Sequence, residues 1–185
     1  MVTGPSGAGK GTLIERVLPR FPELALAVSA TTRAKRPGET DGRQYYFLTR
    51  DEFDQRVETG DFLEWVDYVG NRYGTLLSET ERLRAEGKAP LLELETEGAL
   101  RVKRRLVGAV TIFVTAPLDE LERRLRERAT ESSGEIGGRI ETARRQLEQS
   151  SQFDYVVEND EREQAADRLA EIVAQELAAA TIAAR

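Results

Sequence analysis

The chain has 185 residues, 39% of them apolar and 32% charged, which is enough to bury a core, and no apolar run approaches the roughly 18 residues that a membrane span needs. It contains no Cys and no His, which excludes disulfides, thiol nucleophiles, zinc knuckles and every proton relay through imidazole. With 27 basic against 33 acidic residues, the net charge of -6 disfavours nucleic acid and anionic membranes as partners, so anion binding falls to local clusters that are nearly all Arg. No secretory-signal pattern is present, and the expected location is the cytoplasm.

Short apolar runs alternate with longer amphipathic stretches, and there is no internal repeat. Val2-Thr3 reads as a very short first strand. Gly4-Pro5-Ser6-Gly7-Ala8-Gly9-Lys10 follows, and then Leu13, Ile14, Val17 and Leu18 recur at helical spacing until Pro19 and Pro22 interrupt. G-x-x-x-x-G-K between a strand and a helix is the phosphate-loop pattern. Its glycines let backbone N–H groups converge on a polyphosphate, the helix N-terminus adds its dipole, and Lys10 reaches the β and γ oxygens. Gly11 stands where that pattern places a Ser or Thr ligand for Mg2+. Thr12, one residue on, is a weak substitute, so the ion is expected to be held mainly by waters and phosphate oxygens.

Residues 24–28 read as a second strand, and residues 91–94, 110–114 and 155–157 as later ones. Leu118, Leu121 and Leu125 mark one helix face. Asp160 and Glu163 suggest a capping box ahead of a helix carrying Ala166, Leu169, Ile172, Val173 and Leu177. Strands separated by helices predict a parallel α/β sheet. Two stretches break the alternation. Residues 30–75, rich in Thr, Arg, Gly and Tyr, read as a small mixed or antiparallel insertion, and residues 128–138, with Thr, Ser and three Gly between Arg-rich helices, have the composition of a mobile segment. The expected organisation is one domain with a core of 1–29, 76–127 and 139–185, an insertion of 30–75 and a lid of 128–138. Arg124 and Arg145 have Glu120 and Glu141 as ordinary helix salt-bridge partners.

Ser29-Ala30-Thr31-Thr32-Arg33-Ala34-Lys35-Arg36-Pro37-Gly38-Glu39-Thr40-Asp41-Gly42-Arg43-Gln44-Tyr45-Tyr46-Phe47 resembles the guanylate kinase signature T-[ST]-R-x2-[KR]-x2-[DE]-x2-G-x2-Y-x-[FY] at every fixed position. The resemblance continues through Phe62-Leu63-Glu64-Trp65, Gly70-Asn71-Arg72-Tyr73-Gly74-Thr75, Glu97-Gly98-Ala99 and Arg128-Ala129-Thr130-Glu131, covering residues 3–175. It implies an α/β fold of the P-loop NTP hydrolase type, a parallel sheet flanked by helices with a GMP-binding insertion and a mobile lid. The implied activity is Mg2+-dependent transfer of the γ-phosphoryl of ATP to GMP, and to dGMP, without nucleic-acid or membrane partners.

By this resemblance Arg33, Arg36, Tyr45 and Tyr73 hold the GMP phosphate, and their forked cations and phenol donors suit a phosphomonoester. Guanine offers donors at N1 and N2 and an acceptor at O6. Glu64, Glu95, Ser29 and Thr75 stand at the family's base-reading positions, although the family usually has Asp where Glu95 stands. Glu93, at the end of an apolar strand, takes the acidic Mg2+ role through a water. Arg128 and Arg139 bracket the lid and would bring guanidinium groups to the migrating phosphoryl. Asn159 is placed near the ATP adenine, with helix capping as an equal reading. Two rivals remain: a kinase of another monophosphate, and a catalytically inactive interaction module of the same family. Such modules typically lack the phosphate loop that is intact here.

Overall fold

The computed structural model describes residues 1–127 and 133–183. In chain order the elements are β1 (Val2–Thr3), α1 (Lys10–Val17), β2 (Leu24–Leu26), β3 (Ala30–Thr31), β4 (Tyr46–Phe47), α2 (Arg50–Glu58), β5 (Phe62–Tyr68), β6 (Asn71–Leu76) and α3 (Leu77–Ala85). They continue with β7 (Ala89–Leu91), α4 (Thr96–Arg105), β8 (Ile112–Thr115), α5 (Leu118–Glu127), α6 (Ser133–Glu148), β9 (Tyr155–Glu158) and α7 (Arg162–Ala183). The chain divides into two compact units, Met1–Phe21 with Gly108–Arg185, and Pro22–Val107.

In the first unit β1, β8 and β9 form a parallel sheet in that order, with Val2 opposite Ile112 and Thr3 opposite Phe113. Ile112, Phe113 and Val114 are all buried, as expected of a strand covered on both faces. The short first strand is in place. Leu121 and Leu125 of α5, and Ala166, Leu169, Ile172 and Val173 of α7, are buried as their spacing predicts. The expected capping box before α7 does not form. Glu163 pairs with Arg16 instead, and among the described residues Asp160 accepts from the neighbouring Glu161 N–H. The expected lid also changes character. Residues 128–132 lie outside the described residues, and Ser133–Gly138 opens α6. Glycine costs a helix roughly 1 kcal/mol against Ala, so Gly137 and Gly138 gave this stretch a loop-like composition without preventing the helix.

In the second unit β2 pairs in parallel with β7, and a mixed sheet runs β4-β3-β6-β5. The strand expected at 91–94 lies earlier, at Ala89–Leu91, because Pro90 reads as a breaker yet sits opposite Ala25 in a two-stranded pair that tolerates its missing donor. The unit is larger than the expected insertion of 30–75, since β2–β7 pairing and packing of α4 on β5 draw residues 22–29 and 76–107 into it. Thr49 and Glu52 form a reciprocal capping box on α2, placing Phe53 in the core stacked on Phe62 at 4.4 Å between ring centroids.

A β-bulge in β5 organises this unit. Phe62 is opposite Leu76 and Glu64 opposite Thr75, so Leu63 is the extra residue. A regular strand would put Phe62 and Glu64 on one face. Here Phe62 and Trp65 both pack on the Phe53 cluster, while Glu64 and Val66 both approach Gly98 of α4. The extra residue thus changes the phase of the alternation and turns Glu64 away from the aromatic core.

Candidate active site

The phosphate loop joins β1 to α1 in the first unit. Gly4, Gly7 and Gly9 have φ of 139°, 90° and 86°, backbone conformations that side chains disfavour, and a Cβ on Gly4 would overlap the Val114 carbonyl of β8. Gly9 caps α1, and Lys10 opens it. The Lys10 ammonium folds back over the loop, donating to Gly4 O at 2.7 Å and Pro5 O at 3.3 Å. Ala8 N–H closes a turn on Pro5 O at 3.2 Å. Gly11 and Thr12 lie in the first turn of the helix.

Two further cations reach this loop. Arg139 of α6 donates through Nη2 to Ser6 Oγ at 2.7 Å, so the structure brings this expected residue to the loop. Arg128 lies outside the described residues. Arg124 does pair with Glu120, as its i,i+4 spacing predicts, but the same guanidinium also donates to Gly7 O at 3.3 Å and Asn159 O at 3.2 Å. Hydrogen bonds from Arg123 and then Arg124 pull the Glu120 carboxyl down to about 2. Asn159, 5% exposed, donates from Nδ2 to Ala8 O at 2.7 Å, so its amide braces the phosphate loop. Helix capping by Asn159 is not what the structure shows.

The second unit holds the residues expected to bind the acceptor nucleotide. Arg33 lies over the Tyr45 ring at 5.3 Å from its centroid, and Tyr45 meets Tyr73 edge-on at 6.0 Å. Burial, followed by the charge of Glu93, lifts the Tyr45 phenol to about 12; Tyr73 and Glu95 add to this and Arg33 opposes it. Tyr45 therefore remains a donor at neutral pH. The Arg36 side chain stands exposed, and the backbone N–H of Arg36 is tied to Glu39 at 2.7 Å. Ser29, just before β3, accepts the Tyr46 N–H through its carbonyl at 2.9 Å.

Glu64 is 5% exposed and accepts from Thr75 Oγ1 at 3.1 Å. Burial raises its carboxyl to about 7 against the hydrogen bonds of Thr75 and the charge of Arg101, and Glu95 adds to the rise. Glu95 sits at the N-terminal boundary of α4 without capping it. The four residues Arg33, Tyr45, Tyr73 and Glu95, together with Glu93, thus share an electrostatic neighbourhood, and Glu64 with Thr75 forms its buried end.

The sequence reading did not single out two residues here. A Cβ on Gly98 would overlap Glu64 Oε2 and stand 3.1 Å from its Cδ, so any larger residue here must displace the carboxylate from its place against α4. Gly98→Ala is expected to push Glu64 back by roughly 1 Å and raise the KM for GMP roughly 10- to 100-fold, with the KM for ATP unchanged in steady-state assays. Glu79, 2% exposed, accepts from Val28 N–H at 3.0 Å, from Tyr46 Oη at 3.1 Å and twice from Arg82. These bonds overcome burial and hold its carboxyl low, marking a structural hub. No spacing rule reveals either residue, because their partners are distant in sequence.

A glycine loop leading from a parallel strand into a helix, with Lys10 at the turn, defines an α/β protein of the P-loop NTPase type. The family model described as guanylate kinase matches residues 1–176. The guanylate kinase of Desulfitobacterium hafniense (strain Y51) is 47% identical over 177 residues, covering 95% of this chain and 88% of that protein. That of Rubrobacter xylanophilus is 48% identical over 174 residues, covering 94% and 91%. The crystal structure of guanylate kinase from Anaplasma phagocytophilum superposes with a TM-score of 0.75 at 30% identity, covering 95% of this chain and 83% of that one. The chain belongs to the guanylate kinase family, phosphotransferases that pass a phosphoryl group from ATP to GMP.

Proposed function

We propose that this chain converts ATP and GMP to ADP and GDP with the residues described above, and that it also accepts dGMP. The observation that carries the guanine reading is the buried Glu64–Thr75 pair with Glu95 beside it. Glu64 and Glu95 accept from guanine N1–H and the 2-amino group, while the Ser29 hydroxyl donates to O6 and the Thr75 hydroxyl reaches O6 only by turning from Glu64 Oε1. Adenine N1 is itself an acceptor and would face a carboxylate, so AMP is rejected. Arg33, Arg36, Tyr45 and Tyr73 take the phosphate.

Residues 4–12 bind the ATP phosphates, with Asn159 acting through the loop backbone. Lys10 and Arg139, with Arg128, stabilise charge on the migrating phosphoryl. No general base is needed, because a phosphomonoester loses its second proton near pH 6 and presents an anionic nucleophile. A chain without His therefore meets the demands of the reaction.

Among the described residues no group of three or more acidic, His or Cys side chains gathers as a metal cage. In the first unit the Thr12 hydroxyl, and in the second the Glu93 carboxylate, are each hard oxygen donors of the kind that fits an ion that keeps its waters, and Glu93 would hold Mg2+ through a water. Bound there, the ion neutralises charge on the β and γ phosphates. Among the described residues no helix is long and apolar enough to cross a membrane, and the cytoplasm is the proposed location.

A coupled ADP-release assay with GMP, dGMP, IMP, AMP and UMP tests the reading. GMP and dGMP should lead, IMP should trail for want of the 2-amino donor, and AMP and UMP should be near background. Excess chelator should abolish turnover. An intact phosphate loop disfavours the inactive-module alternative, and GMP-independent ADP release alone would overturn the guanylate kinase reading.

A further inference from the structure

Glu39 is bound up with Arg33 in a way that the phosphate-binding role alone does not explain. Its Oε1 accepts from Arg33 Nη2 at 2.7 Å and its Oε2 from Nη1 at 3.0 Å, a two-bond fork across the end of the guanidinium. The same Oε2 accepts the backbone N–H of Arg36 at 2.7 Å, closing the loop 33–39 on itself. The other Nη1 hydrogen goes to Ala34 O at 2.7 Å. The aromatic rings of Tyr45 and Phe47 lie 5.3 and 5.6 Å from the guanidinium carbon and fix its plane. Both partners of the pair are largely shielded, with side-chain exposures of 14% and 17%.

A guanidinium has five N–H donors. Three are consumed here, and the two that remain, Nε–H and the second Nη2–H, lie along one edge in the parallel geometry that matches two oxygens of a phosphate. We propose that Glu39 is a positioning residue for GMP: it occupies the end of the Arg33 fork so that only the Nε/Nη2 edge is offered to the phosphate. This rests on the assignment of Arg33 to the GMP phosphate. A flexible arginine would lose rotamer freedom on binding, and one already clamped by Glu39 has lost it in the folded protein, so less is lost when the phosphate arrives. Glu39 does not touch substrate in this scheme.

Glu39→Gln tests the proposal, because an amide has one acceptor oxygen and turns its NH2 against a guanidinium donor. The KM for GMP should rise roughly 10- to 100-fold, with kcat at saturating GMP and the KM for ATP little changed. Inhibition by guanosine, which has no phosphate, should be unaffected, a result that general disruption of the unit would not give. Glu39→Asp, which keeps the carboxylate, should recover part of the loss, and Glu39→Gln added to Arg33→Ala should cost nothing further. Tighter GMP binding by Glu39→Gln would make the carboxylate a competitor of the phosphate and overturn the proposal. So would unchanged GMP affinity in Glu39→Gln alongside a large loss in Arg33→Ala. If Arg33→Ala itself leaves GMP affinity intact, the underlying assignment of Arg33 fails, and that failure is separately visible.

Discussion

Glu64→Gln is expected to raise the KM for GMP by roughly 30- to 1,000-fold, the equivalent of about 2 to 4 kcal/mol, while the KM for ATP stays near the wild-type value. If Glu64 reads guanine as proposed, the amide would present an N–H to a guanine donor and leave one donor unpaired beside a residue that is 5% exposed. The same variant has a second signature of opposite sign. Glu64 has its carboxyl raised from 4.5 to about 7 by burial, so the folded protein holds a proton that the unfolded chain has already released over that interval. The contribution of this group is intact below pH 4.5 and is lost as pH climbs through 7, a cost of roughly 3 kcal/mol at alkaline pH. Glutamine carries no such cost. Urea unfolding should find Glu64→Gln gaining on wild type between pH 5 and pH 8, and equal pH profiles would remove the buried charge from consideration.

Guanine binding follows the same titration in wild type. Guanine donors need the carboxylate, so guanosine affinity should fall below pH 7, approaching tenfold per unit, and level off above it. Guanosine is the right probe because the GMP phosphate titrates near pH 6 and would confuse the profile. In Glu64→Gln the guanosine profile should be flat.

Lys10→Ala is expected to depress kcat by roughly 10³ and Arg139→Ala by roughly 10², with GMP affinity nearly unchanged in both. Each contributes a cation to the phosphate loop, Lys10 at the Gly4 carbonyl and Arg139 at the Ser6 hydroxyl. A contact that strengthens in the transition state lowers kcat and kcat/KM together. Single-turnover rates with calorimetric GMP binding separate this from lost substrate affinity. If Arg139→Ala transfers phosphoryl at the wild-type rate, its bond to Ser6 is merely structural.

The phosphate loop and the signature around Arg33 and Tyr45 were legible because their chemistry is local: fixed spacings of Gly, Lys, Arg and Tyr are themselves the observation. Strand positions were legible to within a few residues, and Pro90 shows the reason for the error, since a breaker in isolation is harmless in a pair that does not need its N–H. Arg124 was half legible. Its helix partner follows from spacing, whereas its bonds to Gly7 and Asn159 join segments far apart in the chain. Gly98 was beyond reach for the same reason, since nothing in a helical glycine announces a carboxylate pressed against it.

The extra residue at Leu63 gives β5 two independent roles on two faces. One face carries Phe62 and Trp65 into the aromatic cluster, and the other carries Glu64 and Val66 toward α4. Substitutions on the second face, the one proposed to read the base, can therefore be made without trading away the packing of the first. Deleting Leu63 would leave Phe62 and Glu64 as direct neighbours on opposite faces of a regular strand, so both roles survive its loss, whereas a residue inserted between Glu64 and Trp65 would put the indole on the face of the carboxylate.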